Sequence, residues 1–301
     1  MNNKIFQCPY CNSSDFSFFL SSFDFLHSNK QFHIDKCNNC KLLFTNPRPI
    51  LSELSNYYCS KNYFSHDVSK RNLTALIYQA TRFLNLRLKF KYLFVRKGIS
   101  TILDIGCGTG EFLVYCKKRG MKVCGIEPNP KARSYAILHN KLNVLNTIEE
   151  LDKNSKFDII SYWHVLEHLP DPIENLKKIR NHLNPNGYVV IAVPNCDSWD
   201  ARYYGIYWAG YDLPRHMFHF NINTLTMIAE ISGFIVQRIH PQYFDAFYIS
   251  LLSERYMNKR MKWLKAFLNG IKSNISARTR KSGYSSMIFI LVNKRNNNVN
   301  N

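Results

Sequence analysis

Residues Ile102–Leu113 read Ile-Leu-Asp-Ile-Gly-Cys-Gly-Thr-Gly-Glu-Phe-Leu. An apolar run leads into three closely spaced glycines and then into residues typical of a helix start, which predicts a strand, a tight turn and a helix. Glycines permit the sharp turn and let a ligand approach the backbone closely. The segment therefore predicts a ligand site where a buried strand passes into a helix.

The spacing of the glycines separates this loop from a dinucleotide-binding loop. The dinucleotide fingerprint is G-x-G-x-x-G, but its last position is occupied here by Glu111. A carboxylate at the helix N-terminus would repel a pyrophosphate seated there. The loop therefore favours a ligand without phosphates.

Short apolar runs alternate with helical patterns from Thr101 onward. The runs cover residues 101–105, 122–127, 142–146, 157–163, 188–193, 234–240 and 287–293, and the helical stretches cover 111–119, 130–140, 171–183 and 222–232. This alternation predicts an α/β, Rossmann-like fold with a doubly wound, mostly parallel, seven-stranded sheet. Right-handed crossovers place the ligand crevice at the carboxyl ends of the strands.

An acidic residue ends the second of these strands. Glu127 lies 17 positions after Gly110. A carboxylate at this position can accept hydrogen bonds from both hydroxyls of a ribose. Taken alone, Glu127 would be an ordinary surface residue, and the glycine loop upstream favours the ribose role.

With these motifs, the chain resembles the class I S-adenosylmethionine (SAM)-dependent methyltransferases, and residues 157–172 resemble the type 23 (UbiE/UbiG-like) subgroup. The resemblance implies that the glycine loop wraps the methionine and ribose parts of SAM and that Asp104 positions the amino-acid part. The fourth strand would end beside SAM. The SAM-binding residues that it implies are Asp104, Gly106, Cys107, Gly108, Gly110, Glu127, Trp163 and His164.

Two C-x-x-C pairs precede the methyltransferase-like region. Cys8 and Cys11 are separated from Cys37 and Cys40 by 25 residues. Two such pairs can place four thiolates tetrahedrally around Zn²⁺, and four thiolates leave no open position, so the ion would be structural. The alternatives are a redox dithiol pair or a segment without metal. Some type 23 methyltransferases resemble this segment in carrying an N-terminal zinc ribbon.

A loop after the fifth strand carries the candidate acceptor-side residues. Aromatic side chains, Arg215, His216 and His219 share residues 208–220. Histidine titrates near neutral pH and can act as a general base on an acceptor hydroxyl. We predict His216 or His219 as the catalytic residue. Histidines in aromatic loops are also often structural, and His164 and His168 can merely shape the SAM pocket.

The chain divides into four predicted segments. A zinc-ribbon-like segment covers residues 1–60, a helical linker or lid covers 61–100, the SAM-binding domain covers 101–295 with a basic helical insert at 250–283, and a disordered tail covers 296–301. The insert can be a lid over the crevice, a lipid-binding helix or a nucleic-acid contact.

The formal net charge is +19, and 28 of the 40 Lys and Arg residues lie in residues 1–100 and 201–301. Nucleic acid, an anionic membrane surface or a phosphorylated substrate could use such flanks, but charged solvated faces explain them equally. The nine cysteines do not form a secretory disulfide pattern. No apolar run is long enough for a membrane span, and no signal peptide is recognisable, so we expect a cytoplasmic protein.

These features predict a SAM-dependent methyltransferase that acts on a small molecule or glycan precursor. The atom methylated, O, N or C, stays open. An RNA or protein methyltransferase that docks through the ribbon and the basic flanks is one alternative, and a non-catalytic SAM-binding scaffold is another.

Overall fold

A computed structural model of the chain describes residues 2–58, 84–93, 99–258, 262–280 and 283–294. Most of the predicted linker at 61–100 and the whole predicted tail at 296–301 lie outside these ranges. None of the helices in the described ranges has the length and apolar content needed to cross a bilayer.

The first segment contains short strands and one short helix. The strands are β1 (Asn2–Asn3), β2 (Phe16–Phe23), β3 (Gln31–Cys37), β4 (Leu43–Thr45) and β5 (Arg48–Pro49), and the helix is α1 (Leu51–Leu54). A second helix, α2, covers residues 84–92. Strands β2, β3 and β4 are antiparallel neighbours.

The remaining elements alternate, as the periodicity predicts. The strands are β6 (Thr101–Ile105), β7 (Lys122–Ile126), β8 (Val144–Leu145), β9 (Phe157–Trp163), β10 (Leu183–Pro194), β11 (Phe218–His219), β12 (Phe234–Pro241) and β13 (Ser286–Asn293). The helices are α3 (Glu111–Lys117), α4 (Pro130–Leu138), α5 (Pro172–Arg180), α6 (Trp199–Tyr204), α7 (Ile222–Ile231), α8 (Asp245–Asn258) and α9 (Trp263–Arg280).

Local sequence signals begin several helices. Asn129 accepts hydrogen bonds from the first backbone N–H groups of α4, and Asp171 does the same for α5; a proline follows each cap. Asn221 and Thr224 form a reciprocal capping box at α7. These side chains satisfy donors that a helix start leaves unpaired, and proline is already fixed at a helical φ.

Seven strands form one sheet in the order β12-β13-β10-β9-β6-β7-β8. Strand β13 is antiparallel to both of its neighbours, whereas the pairs from β10 to β8 are parallel. This confirms the Rossmann-like, mostly parallel fold. The strand order reverses between β6 and β9, and ligands of such sheets bind outside the carboxyl ends of the strands at the reversal.

The N-terminal sheet is completed by a strand from the second half of the chain. Its order is β11-β4-β3-β2, and β11 pairs with β4 through Phe218 and Phe44. The two sheets also share one hydrophobic core, in which Cys8 and Phe44 belong to the same cluster as Leu103. The zinc-ribbon-like segment is therefore built into the large domain, because its fourth strand is the loop that carries the candidate catalytic histidines.

Candidate active site at the carboxyl edge of the sheet

The glycine loop connects β6 to α3. Gly106, Gly108 and Gly110 have φ angles of 68°, 58° and 79°, which L-residues with side chains rarely adopt. A Cβ on Gly106 would clash with Val165, and one on Gly110 would clash with Leu142. At Gly108, a Cβ would meet no described atom within 4 Å, so a ligand can approach the backbone there. Glycine is therefore needed at positions 106 and 110 to avoid clashes with neighbouring side chains, and at position 108 it leaves space for a ligand.

Glu127 lies directly after β7 and faces this loop. Its Oε2 accepts a hydrogen bond from the N–H of Gly108 at 2.8 Å, and its Oε1 accepts one from Asn129 at 2.8 Å. The side chain is buried, and burial raises its pKa. Each oxygen keeps a free lone pair, so the carboxylate can still accept hydroxyl hydrogens from a ribose.

Asp104 lies within β6, buried beneath the loop. Its Oδ1 accepts a 2.6 Å hydrogen bond from the hydroxyl of Ser161, its partner on β9. Burial raises the pKa of Asp104 to about 7, although this hydrogen bond and the nearby Lys89 ammonium act against the rise. The position provides a negative charge that is stabilised when a cationic group binds beside it.

Lys89 of α2 is a site residue that no sequence motif marked. Its Nζ lies 5.1 Å from the centroid of the Trp163 ring and 5.9 Å from that of Phe112. Burial lowers the pKa of Lys89, while the charges of Asp104 and Asp245 favour its protonated form. The crevice therefore holds two groups of opposite charge, Asp104 and Lys89, which influence each other electrostatically.

Trp163 and His164 end β9. The Trp163 ring packs edge-on against Phe112, with centroids 5.5 Å apart. His164 has a φ of 58°, and its Nε2 lies 3.0 Å from Oδ2 of Asp245 at the start of α8. Burial lowers the pKa of His164, but Asp245 and Glu167 outweigh it and raise the value to about 10. His164 therefore carries a proton at neutral pH and ties α8 to the crevice.

Cys107 contributes to the loop through its backbone. A Cβ on Gly125 of β7 would lie 2.6 Å from the Sγ of Cys107, so this thiol packs against the neighbouring strand. Burial raises its pKa well above the ordinary range. A half-buried thiol with a raised pKa is poorly reactive, which fits a packing role.

Glu167, His168 and His216 form a cluster at the same edge, here called the acceptor-side cluster. Their ligand atoms all lie within 4.8 Å of one another. Nε2 of His216 is 3.9 Å from Oε1 of Glu167, and the His168 and His216 rings are 4.5 Å apart between centroids. The cluster adjoins the glycine loop, because Val165, two residues before Glu167, contacts Gly106.

His219 lies in the core, away from that cluster. It is 3 % exposed, its Nε2 is 3.1 Å from Oγ1 of Thr45, and its ring packs edge-on against Tyr211. Burial lowers its pKa well below the ordinary value, so the ring is neutral. Of the two predicted catalytic histidines, the structure brings only His216 to the acceptor-side cluster.

The guanidinium of Arg215 forms hydrogen bonds with other groups of the protein. Its guanidinium donates to both oxygens of Asp212 and to Oδ1 of Asp24, and its side chain is 1 % exposed. Burial lowers the pKa of Arg215, but the two carboxylates outweigh it and hold the value above the ordinary one. Arg215 therefore fixes the loop.

The four N-terminal cysteines meet at one point. Sγ of Cys8 is 3.5 Å from Sγ of Cys40, Sγ of Cys11 is 3.5 Å from Sγ of Cys37, and all four sulfurs lie within 4.8 Å of one another. Zn–S bonds of about 2.3 Å in a tetrahedron place sulfurs roughly 3.8 Å apart. The four thiols fit a structural zinc ion and would hold β2–β4 in place.

Comparisons with known proteins agree with this geometry. The profile of a family described as a methyltransferase domain matches residues 76–239. An enzyme of Bradyrhizobium diazoefficiens named ubiquinone biosynthesis O-methyltransferase is 34% identical over 100 residues, which are 31% of this chain and 40% of that protein. The enzyme of the same name from Haemophilus ducreyi is 32% identical over 127 residues, 38% of this chain and 52% of that protein.

The match to these two relatives spans about two fifths to one half of their length. Among solved structures, a mycolic acid cyclopropane synthase complexed with SAH (S-adenosylhomocysteine) and CTAB superimposes with a TM-score of 0.50 at 15% identity. That match covers 71% of this chain and 84% of that chain. This likeness shows the fold.

Proposed function

The chain belongs to the methyltransferase-domain family, and from this premise we propose that it transfers the methyl group of SAM to a hydroxyl oxygen of a small molecule or glycan precursor. The proposal rests on one observation: a cofactor-binding group of residues and an acceptor-binding group lie next to each other at the strand reversal. The glycine loop with Glu127 forms the cofactor half, and the acceptor-side cluster forms the other. The names of the two O-methyltransferase relatives support oxygen as the acceptor atom.

The charges of the cofactor half suit the zwitterionic end of SAM. Its amino-acid part carries an ammonium and a carboxylate, and the crevice offers Asp104 and Lys89. Glu127 would accept the ribose hydroxyls. Glu111 lies in the first turn of α3, where its carboxylate disfavours a pyrophosphate. These four residues together favour SAM over a dinucleotide.

We assign the acceptor step to His216 rather than His219. SAM supplies a methyl group made electrophilic by a sulfonium sulfur, so the protein has mainly to align the acceptor, exclude water and help the hydroxyl lose its proton. His216 lies beside Glu167 at the crevice, whereas His219 is enclosed by Thr45 and Tyr211. His164 is paired with Asp245, so its role would be to hold α8 over the crevice as a lid.

Incubation with methyl-labelled SAM and fractionated cell extract tests the activity. We expect label in a small-molecule or glycan fraction, and much less label at low SAM concentration when Glu127→Ala replaces the wild-type chain. Label in RNA or protein would favour the docking alternative. Tight SAM binding without transfer to any fraction would contradict the enzyme and favour a scaffold. A cytoplasmic location is part of the proposal and is supported by the thiols of the eight described cysteines, which are all free.

A further inference from the structure

Glu167 is a buried carboxylate that accepts no side-chain hydrogen bond from the part of the chain that the structure describes. It is 1 % exposed, and neither Oε atom has a hydrogen-bond partner within the described ranges. The nearest imidazole nitrogens, Nδ1 of His164 and Nε2 of His216, are 3.6 Å and 3.9 Å from Oε1. These distances are too long for hydrogen bonds. The ion-pair contact with His164 satisfies neither oxygen, and a buried carboxylate whose oxygens lack donors is costly, because buried charges are normally hydrogen-bonded or coordinate metals.

The two histidines beside Glu167 are oriented through their other nitrogens. Nδ1 of His216 lies 2.9 Å from the carbonyl oxygen of Gly210, and Nδ1 of His168 lies 3.1 Å from that of Arg215. A carbonyl only accepts, so Nδ1 of His216 carries the hydrogen and its Nε2 keeps a lone pair. Nδ1 of His168 also lies 2.9 Å from the hydroxyl of Tyr58, and its donation to the carbonyl of Arg215 leaves its Nε2 free to bind a metal. Metal-binding histidines are typically fixed by such a bond from the second ring nitrogen.

We propose that Glu167, His168 and His216 bind a divalent metal ion, which in turn binds the acceptor oxygen. Two imidazoles and one carboxylate form a recurrent three-ligand set that leaves further positions open. Metal–ligand bonds of about 2.1 Å bring ligand atoms to roughly 3–3.4 Å from each other. The ligand atoms of the three side chains now lie within 4.8 Å of one another. Small rotations of the side chains would bring these atoms to the spacing that a metal requires.

The surrounding charges are compatible with a cation. Asp212 places Oδ2 3.9 Å from Nε2 of His216, and Asp245 balances the protonated His164. Asp212 itself is occupied by Arg215. Both carboxylates are balanced by cationic side chains, so Glu167 supplies the negative charge for the ion.

The role of the metal ion in the reaction, unlike the metal site itself, rests on the proposed function. An acceptor hydroxyl bound to the metal would lose its proton to water, because the ion lowers the pKa of the bound oxygen. An oxygen lone pair then forms the O–CH₃ bond while the C–S bond breaks, and its electrons pass to the sulfur. The sum is R–OH plus SAM giving R–OCH₃, S-adenosylhomocysteine and one proton. His216 thus acts through the ion, not as a free base.

Titration with Mn²⁺, followed by electron paramagnetic resonance, tests the site without the acceptor. Mn²⁺ suits carboxylate and other oxygen ligands, whereas thiolates select zinc, so the zinc-ribbon cysteines do not compete. We expect one Mn²⁺ per chain and at least tenfold weaker binding in Glu167→Gln and in His216→Asn. His139→Asn changes the exposed histidine that directly follows α4, and this variant should bind Mn²⁺ like the wild type.

Titration with SAM shows that each variant is folded with an intact cofactor half. No Mn²⁺ binding by the wild type, or unchanged binding by folded Glu167→Gln and His216→Asn chains, would overturn the metal site. Methyl transfer that persists after removal of this ion would also overturn it while leaving the proposed function standing. Mn²⁺ binding that depends on Glu167, in a chain that transfers no methyl group, would instead contradict the proposed function alone.

Discussion

Arg215 and Asp24 form a buried ion pair across 191 positions of sequence. Nη1 of Arg215 lies 3.0 Å from Oδ1 of Asp24, and their side chains are 1 % and 0 % exposed. Asp24 belongs to the turn between β2 and β3, and Arg215 immediately precedes His216. The N-terminal sheet therefore holds the loop that presents His216 to the crevice, which gives the ribbon a mechanical role in the site.

We expect Asp24→Asn to destabilise the protein and to slow methylation. Removing one partner of a buried ion pair typically costs about 3–5 kcal/mol, and we expect the lower end of this range because Asp212 still neutralises Arg215. Urea unfolding measures that cost, and a SAM titration should show nearly unchanged affinity. Asp15→Asn, an exposed position in the same segment, should change stability by less than about 0.5 kcal/mol. Equal effects of the two variants would contradict the role of the pair.

Cys37→Ser should lose the zinc ion. A structural site needs all four ligands for its geometry, so metal analysis should find about one zinc per chain in the wild type and little in the variant. Cys196→Ser removes a buried thiol elsewhere in the fold and should retain zinc. The assignment fails if Cys37→Ser keeps full occupancy.

Glu127→Ala should weaken SAM binding about 10- to 100-fold. Hydrogen bonds to charged groups contribute about 1.5–3 kcal/mol, and Glu127 is the residue placed to accept them from a ribose. Calorimetric titration with SAM and with NAD measures both affinities. Glu149→Ala, at an exposed carboxylate paired with Lys178, is the control. Tighter binding of NAD than of SAM would exclude the cofactor assignment.

Asp104 should make the ligand-free protein less stable as the pH rises. Its pKa is about 7 in the folded chain and about 4 in the unfolded chain. Between these values the unfolded state binds fewer protons, so the contribution of Asp104 to stability falls as pH increases and then levels off. Asp104→Asn removes this effect. The stability of the variant relative to the wild type should therefore be higher at pH 8 than at pH 5, as measured by urea unfolding without SAM. A pH-independent difference would refute the shift.

Replacement of the two loop histidines should separate their roles. His216→Ala should lower turnover by about 10²–10⁴, the range for groups that assist proton removal, and leave SAM affinity nearly unchanged. His219→Ala should mainly lower the melting temperature, because His219 packs in the core against Tyr211 and Thr45. Near-wild-type turnover of a folded His216→Ala chain would place the acceptor step elsewhere.

Much of the cofactor half could be predicted because its signals are local. The positive φ angles of the loop require glycine within five consecutive residues, and strand periodicity places Glu127 at the end of the next strand. The predicted strands 101–105 and 157–163 agree with β6 and β9 at both ends, whereas the predicted 142–146 is reduced to Val144–Leu145. An edge strand has one partner, so fewer backbone pairs extend it.

Lys89 and Glu167 could not be recognised in the same way. Lys89 acquires its role by lying over Trp163 and near Asp104, which are 74 and 15 positions away. In the sequence, Glu167 stands out only as part of a family motif, and its lack of hydrogen-bond partners among the described residues depends on the surrounding fold. Pairings of this kind depend on how the helices and loops cover the sheet.

The sequence by itself determined the order of strands and helices, the glycine loop and the two cysteine pairs, because backbone conformation and apolar periodicity are set by neighbouring residues. Only the tertiary structure separated His216 from His219: both are buried, but His216 lies beside Glu167 and His168, whereas His219 packs against Tyr211. It also joined β11 to β4 and Arg215 to Asp24. Contacts between distant segments follow from packing the whole chain, and short-range patterns do not encode them.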